Sequence, residues 1–127
     1  MREVDEVSAY EALLNRIAPL DLAYLHLLIE PTQPAFAVVR SLWDGTLVLN
    51  TPRQIESNFC ELENLVDWGV ISAAAVGRAY LANPDLIDRL VLGAELNEPD
   101  AATFYSSGSV GYTDYPTLME LEEPRSA

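Results

Sequence analysis

Lysine is absent from this sequence, and cysteine and histidine occur once each. A lone cysteine, Cys60, cannot form an internal disulfide or a cysteine-rich metal cluster. All seven basic residues are arginine, against 20 acidic residues, so the formal net charge is −13. Nucleic acids and anionic membranes attract basic surfaces, and this acidity therefore argues against both as partners.

Long apolar runs are missing as well. No stretch approaches the roughly 20 apolar residues of a membrane-spanning helix. The N-terminus lacks a basic segment followed by an apolar one, so we expect no signal peptide and a cytoplasmic location. Hydrophobic residues nonetheless make up 50% of the 127 positions. This composition is typical of a folded chain, here with the length of one ordinary domain.

Apolar stretches alternate with segments of helical spacing. Residues 22–29, 46–50 and 70–76 are almost wholly apolar, a pattern typical of strands buried on both faces of a parallel sheet. The predicted order is α-β-α-β-α-β-α, followed by a loop-rich tail. This alternation indicates right-handed βαβ units. Three such strands would leave two sheet edges open, which parallel sheets normally cover.

Particular residues mark the expected helix boundaries. Ser8 and Asn58 are each followed by glutamate three positions later, which predicts a capping box at both sites. Asn83 precedes a proline, and it is predicted to be the N-cap of a later helix. Gly69 and Gly93 lie where helices should end in a left-handed residue.

Candidate site residues follow the predicted strands, since ligands of parallel α/β folds bind at the carboxyl ends of strands. Asn50 ends the second strand, and Gly77-Arg78 follows the third. A glycine allows close approach of a phosphate and arginine binds it bidentately; the alternative is a turn glycine beside a surface arginine. His26 lies inside an apolar strand and is interpreted as a satisfied structural histidine, with a catalytic base as the alternative. Cys60 is predicted to be buried as a small hydrophobe.

Several motifs occur in an order that is similar to the order of motifs in a known family. The chain reads Leu22-Ala-Tyr-Leu-His-Leu with Glu30-Pro31, then Gly77-Arg-Ala-Tyr-Leu-Ala-Asn-Pro-Asp-Leu86, Leu96-Asn-Glu-Pro-Asp100, Ala102-Thr-Phe-Tyr105 and Gly111-Tyr-Thr-Asp-Tyr-Pro116. Over residues 8–118 this resembles the Old Yellow Enzyme family. Members of that family are FMN-dependent NAD(P)H oxidoreductases, also called ene reductases.

The resemblance implies an α/β fold in which residues 1–127 form part of an eight-stranded (β/α) barrel of about three times this length. The chain would hold the last three βα units, strands six to eight, and residues 94–127 would be the C-terminal tail. Such a partial barrel accounts for the two open sheet edges. The turn after strand seven, at 50–56, lacks the glycine that many members have there.

The same resemblance implies FMN as cofactor and assigns the site residues. Gly77 and Arg78 correspond to the family's FMN-phosphate site, and the backbone around Asn50 approaches the same phosphate. Phe104 and Tyr105 correspond to a pair near the flavin ring that lines the substrate pocket. The family's catalytic histidines and proton-donor tyrosine belong to earlier strands, so no catalytic residue and no metal ligand is assigned here.

The implied function is that of the C-terminal portion of an FMN-dependent NAD(P)H oxidoreductase acting on a small enone-type substrate. A second hypothesis assigns the chain to a different functional class, that of a non-catalytic chain. The chain would be a truncated or split-gene product without catalysis of its own, which requires a complementary N-terminal barrel fragment or a second copy of itself.

Overall fold

A computed structural model describes residues 5–52 and 59–122 of the chain. The chain divides after Ala75 into two compact units. The first unit contains helices and short strands, and the second contains helices and loops. Within the described ranges, no helix combines the length and the apolar character needed to cross a membrane.

The first unit is a parallel sheet of three strands in the order β1-β2-β3. The strands are β1 (Leu25–Leu28), β2 (Leu47–Asn50) and β3 (Ala73–Ala74). The helices of this unit are α1 (Glu6–Ile17), α2 (Pro34–Leu42) and α3 (Phe59–Asp67). The parallel order and the intervening helices confirm the predicted βαβ arrangement.

One face of the sheet forms the core of this unit. Leu27, Leu47 and Leu49 are buried there in a single apolar cluster with helix residues such as Leu14 and Val39. Because successive side chains of a strand point to opposite faces, the strand residues between them lie on the other face. The strands are therefore half-buried, and the prediction of burial on both faces is wrong for this chain.

The open face of the sheet carries His26 and Leu28 from β1, which pair in register with Val48 and Asn50 of β2. His26 is exposed, and Leu28 keeps 65% of its surface exposed. The burial of His26 that a strand covered on both faces implies is therefore wrong. Its neighbours along the strand are apolar, but among the described elements of this unit none covers the face on which it lies.

The N-terminal boundary of the first helix differs from the prediction. Asp5, rather than Ser8, is the N-cap of α1, and its carboxylate accepts hydrogen bonds from the Val7 amide (3.2 Å) and the Ser8 hydroxyl (2.7 Å). A carboxylate is favoured at this position because it also faces the positive end of the helix dipole.

The capping box at Asn58, and residues 53–56 of the turn after β2, lie outside the described residues.

The third strand is shorter than its apolar sequence predicts. The amides of Val70 and Ile71 both donate to the carbonyl of Leu65, at 2.9 and 3.1 Å, and so close the end of α3. Gly69 adopts the predicted left-handed conformation there, with φ +67°. Because these amides are used by the helix end, the strand ladder with β2 begins only at Ser72, whose amide donates to Leu47.

Cys60 is exposed in α3, and the prediction of burial is wrong. Leu62 is the buried residue of this helix. Residues two positions apart in an α-helix point about 200° apart. Burial of Leu62 therefore turns Cys60 towards solvent.

The second unit consists of helices and of the tail, which the structure describes as far as residue 122. Its elements are α4 (Arg78–Ala82), α5 (Leu86–Leu92), a 3-10 helix (Ala101–Thr103) and α6 (Leu118–Glu122). The N-cap residue of α5 is Asp85, whereas Asn83 ends α4 and is fully buried, so the prediction of Asn83 as an N-cap is wrong. Gly93 ends α5 in the left-handed conformation, as predicted.

Two asparagines join α4 to the tail. The Asn83 side chain donates to the carbonyls of Ala79 (3.0 Å) and Asn97 (3.2 Å), and its oxygen accepts from the Asn97 amide (2.7 Å). The Asn97 side chain in turn donates to the carbonyls of Ala82 and Pro116, both at 2.8 Å. These bonds explain why Asn83 is buried: each polar atom of its side chain has a partner inside the protein.

A buried arginine joins α5 to both ends of the same tail. Arg89 is 1% exposed, and its Nε donates to the Asp85 carboxylate at 2.7 Å. Its two terminal nitrogens donate to the carbonyls of Glu95 (2.6 Å) and Pro116 (2.8 Å). The second Asp85 oxygen accepts from the Leu118 amide at 2.7 Å. One ion pair therefore fixes where the tail begins and where α6 starts.

Burial opposes ionisation of Asp85, but the hydrogen bonds from Arg89 and the Leu118 amide outweigh it and hold the pKa of this carboxyl below its usual 3.8. The folded state therefore binds the proton more weakly than the unfolded chain does. The stability that Asp85 contributes is complete above the unfolded pKa and is lost as the pH falls through the lower folded value.

We expect Asp85→Asn to lower the free energy of unfolding at pH 7 by about 1.5–3 kcal/mol, the usual worth of hydrogen bonds to a charged group. The variant should also lose less stability than the wild type between pH 7 and about pH 3, because the titrating carboxylate is gone. Urea denaturation at both pH values measures this. Asp88→Asn, an exposed aspartate on the same helix, is the control. Equal pH dependence of the wild type and Asp85→Asn would contradict the prediction.

Candidate functional site

The predicted phosphate site begins at Gly77, the N-cap residue of α4. Gly77 has no side chain to cap the helix, and its φ of −95° is open to any residue. A Cβ atom placed on it would meet nothing within 4 Å. Neither backbone strain nor crowding in this structure therefore requires glycine here. The space beside it is free for a group that approaches the backbone from outside.

Arg78, the next residue, lies over the aromatic ring of Phe104. The guanidinium carbon is 5.7 Å from the ring centroid, within the roughly 6 Å range of a cation–π interaction. Arg78 is exposed and forms no ion pair with any residue in the described parts of the chain. The structure thus brings together two residues that the sequence places 26 positions apart.

The segment that carries Phe104 is anchored on both sides. Before it, Asp100 caps the 3-10 helix through a bond from the Ala102 amide (2.9 Å), and the Asp100 amide donates to the Tyr115 hydroxyl (2.7 Å). After it, the Ser106 amide donates to the Thr103 carbonyl at 3.0 Å. Phe104 itself is half-buried. Its ring is therefore carried by a hydrogen-bonded loop.

Tyr105 is held in a conformation that non-glycine residues rarely adopt. Its φ is +61°, its side chain is fully exposed, and its amide donates to the Tyr112 hydroxyl at 2.7 Å. A left-handed residue other than glycine costs about 1–2 kcal/mol. The tail holds Tyr105 in this strained conformation although its aromatic ring is exposed to solvent. Strain of this kind clusters at functional sites, and the pocket-lining role of Tyr105 stays a prediction.

A second close contact shapes the same loop. Gly111 has φ +76°, and its amide donates to the Asp114 carboxylate at 2.7 Å. A Cβ atom at this position would overlap the side chain of Thr103. Glycine is thus required at this position both by the backbone conformation and by the packed neighbour.

Gly111→Ala should therefore destabilise the tail by about 2–3 kcal/mol, since it adds steric overlap to backbone strain. Gly93→Ala is the matched control: Gly93 is also left-handed, but it has open space around its Cβ position, and its replacement should cost only about 1–2 kcal/mol. Urea denaturation with amide hydrogen exchange across residues 100–116 measures both effects. A Gly111→Ala variant with normal exchange in this loop would contradict the expected overlap.

Asn50, the third predicted phosphate contact, belongs to the first unit and is the last residue of β2. Its backbone carbonyl accepts from the Ile29 amide at 3.1 Å, and its side chain is half-buried on the open face of the sheet. Its role stays a prediction. No group of histidine, cysteine, aspartate or glutamate side chains arranged to hold a metal ion occurs within residues 5–52 and 59–122.

Among the residues that hold the tail, the sequence predicted a role only for Asn83, as an N-cap. Asn83, Asp85 and Asn97 were part of the quoted motifs, but Arg89 was not. The one local signal was the spacing of Asp85 and Arg89, four positions apart, which allows an ion pair along a helix. Nothing in that spacing indicated that the pair would be buried or would reach the carbonyl of Pro116.

Comparisons with known proteins place this arrangement in context. No protein-family model matches the chain. The chain is 42% identical over 88 residues to a protein from Leishmania infantum named probable flavin mononucleotide-dependent alkene reductase, covering 69% of this chain and 23% of that protein. Old yellow enzyme from Trypanosoma cruzi matches in structure with a TM-score of 0.72 and 35% identity, over 88% of this chain and 30% of that one.

Morphinone reductase in complex with tetrahydroNAD matches with a TM-score of 0.76 and 33% identity, over 97% of this chain and 33% of that chain. The chain corresponds to part of an Old Yellow Enzyme family barrel. The resemblance and the partial-barrel fold predicted from the sequence are thus confirmed. The chain spans about a third or less of each of these Old Yellow Enzyme relatives.

Proposed function

We propose that this chain supplies the FMN-phosphate site of an ene reductase of the Old Yellow Enzyme family. The observation that carries the proposal is the Arg78 guanidinium, which lies 5.7 Å from the centre of the Phe104 ring and forms no ion pair with any described residue. Both residues lie at positions that the family resemblance assigns to the cofactor and the substrate pocket. The name of the Leishmania relative supports FMN, and the morphinone reductase complex supports a nicotinamide reductant.

The donor set at this site suits a phosphate. The arginine offers several N–H donors in a planar arrangement that matches phosphate oxygens, and no described carboxylate competes for them. Gly77 leaves open space next to the backbone at the start of α4. In the proposed role, Arg78 binds the phosphate by charge-assisted hydrogen bonds, and Gly77 allows the phosphate to approach the main chain.

The proposal extends to the other predicted contacts. Asn50, at the end of β2, is proposed as a cofactor contact on the family resemblance alone, while Phe104 and Tyr105 would line the pocket of an enone-type substrate. Aromatic side chains gain most from covering a planar group, and Tyr105 has its whole surface available for this. The chemistry that bound FMN supplies is hydride transfer from NAD(P)H to an activated alkene.

Arg78→Ala should weaken FMN binding about tenfold or more, because charge-assisted hydrogen bonds to the phosphate are lost. Titration of the chain with FMN, followed by quenching of flavin fluorescence, measures the dissociation constant. Arg16→Ala removes an exposed arginine from α1 and controls for the change in net charge. An Arg78→Ala variant that binds FMN as the wild type does would remove Arg78 from the phosphate site.

As a second candidate function, we propose that the chain has no catalytic activity of its own and functions only when a partner completes the barrel. The uncovered sheet face favours it. Leu28 is 65% exposed there, next to the exposed His26 and Ala73. β1 and β3 each pair with β2 alone among the described strands. The partner proposed is a complementary segment with the earlier barrel strands, and self-association is the alternative.

Leu28→Asp tests this candidate. A charge on the open face should weaken assembly with a fragment that carries the first five βα units of a family member by about tenfold or more, since it would be buried on assembly. Analytical ultracentrifugation of the mixture, with the chain alone to detect self-association, measures the effect. Leu13→Asp, which places the same charge at an exposed position of α1, is the control. Equal assembly of both variants would argue against the open face as the contact.

A further inference from the structure

We infer that Phe104 is a positioning residue, which holds the Arg78 guanidinium for phosphate binding through the face of its ring. The inference rests on the proposed function, since it assumes that Arg78 meets a phosphate. It adds a role for Phe104 that differs from pocket lining. In that role, replacement of Phe104 affects the phosphate end of a ligand, and the effect requires Arg78.

The charge environment of Arg78 is the first argument. The chain has 20 acidic and seven basic residues, so an arginine here would be expected to meet a carboxylate. Arg89 does so, through Asp85 at 2.7 Å. Arg78 has no such partner among the described residues, and its contact is the Phe104 ring.

The chemistry of the contact is the second argument. A carboxylate would use the same N–H donors that a phosphate needs, and it would neutralise the charge that attracts the anion. An aromatic face attracts the cation through its quadrupole and accepts none of those hydrogen bonds. The ring therefore restricts a side chain that has about 2 kcal/mol of rotamer entropy, while the charge and the donors stay available.

The rigidity of the ring's support is the third argument. Phe104 follows the 3-10 helix, and its amide donates to the Ala101 carbonyl at 3.4 Å. The next amide, that of Tyr105, is bound by the Tyr112 hydroxyl at 2.7 Å. Because the amides of Phe104 and Tyr105 are both hydrogen-bonded, the ring is fixed and can restrict the Arg78 side chain. A ring on a free loop would move together with the arginine and would not restrict it.

The test uses the full chain and inorganic phosphate as the probe. The NMR signal of the Arg78 Nε–H group, assigned with Arg78→Lys, reports both the ring and the anion. In Phe104→Leu we expect this signal to lose its ring-current shift, and the phosphate concentration at half-saturation to rise about two- to fivefold, the usual worth of an exposed cation–π contact. Phe104→Tyr, which keeps the aromatic face, should retain both properties. Val110→Ala, an exposed apolar position of the tail, is the control.

Several results would overturn the inference. They are an unchanged Arg78 signal in Phe104→Leu, an unchanged phosphate affinity in that variant, and a wild-type signal that does not respond to phosphate. A double variant, Arg78→Ala with Phe104→Leu, distinguishes the positioning role from a general loosening of the tail. The quantity measured is its affinity for FMN. A positioning role predicts no further loss in the double variant, whereas a further loss would show that Phe104 acts without Arg78.

A comparison of FMN with riboflavin, which lacks the phosphate, separates this inference from the proposed function. Phe104→Leu should weaken FMN binding and leave riboflavin binding unchanged, whereas equal weakening of both would show that Phe104 acts on the flavin ring rather than through the phosphate, and would overturn the positioning role. If the wild type binds FMN no better than riboflavin, the proposed function fails. The phosphate titration of the Arg78 signal then still decides whether Phe104 positions the guanidinium.

Discussion

The buried guanidinium of Arg89 is the constraint on which the second unit depends. A charge removed from water is tolerated only when every donor has a good partner, and Arg89 finds them in the Asp85 carboxylate and the carbonyls of Glu95 and Pro116. These partners come from α5 and from both ends of the tail. In the described residues, no buried side-chain nitrogen or oxygen lacks a hydrogen bond.

The geometry of the candidate site follows from this anchoring. Because the tail is held at both ends, the loop between them can maintain a left-handed Tyr105 and a closely packed Gly111. The same loop carries Phe104 to Arg78. The buried ion pair and the asparagine hydrogen bonds thus help to hold the half-buried Phe104 and the exposed Tyr105 in one conformation.

The first unit shows the opposite situation, a core covered on one side only. Leu27, Leu47 and Leu49 are buried in one apolar cluster with helix residues of the same chain, whereas the face with His26 and Leu28 is exposed. In a closed barrel, the side chains inside are covered by those of the other strands. The chain spans about a third of the length of these relatives, and the family resemblance assigns the catalytic residues to strands outside this span.

The sequence by itself determined the alternation of helices and strands, the glycine at the end of α5, and the family, because apolar periodicity and local motifs are properties of neighbouring residues. Only the tertiary structure decided the exposure of His26 and Cys60, the burial of Asn83, and the contact between Arg78 and Phe104. Burial depends on which elements cover a face, and a cation–π contact depends on distance in space. Neither quantity is encoded in the spacing of residues along the chain.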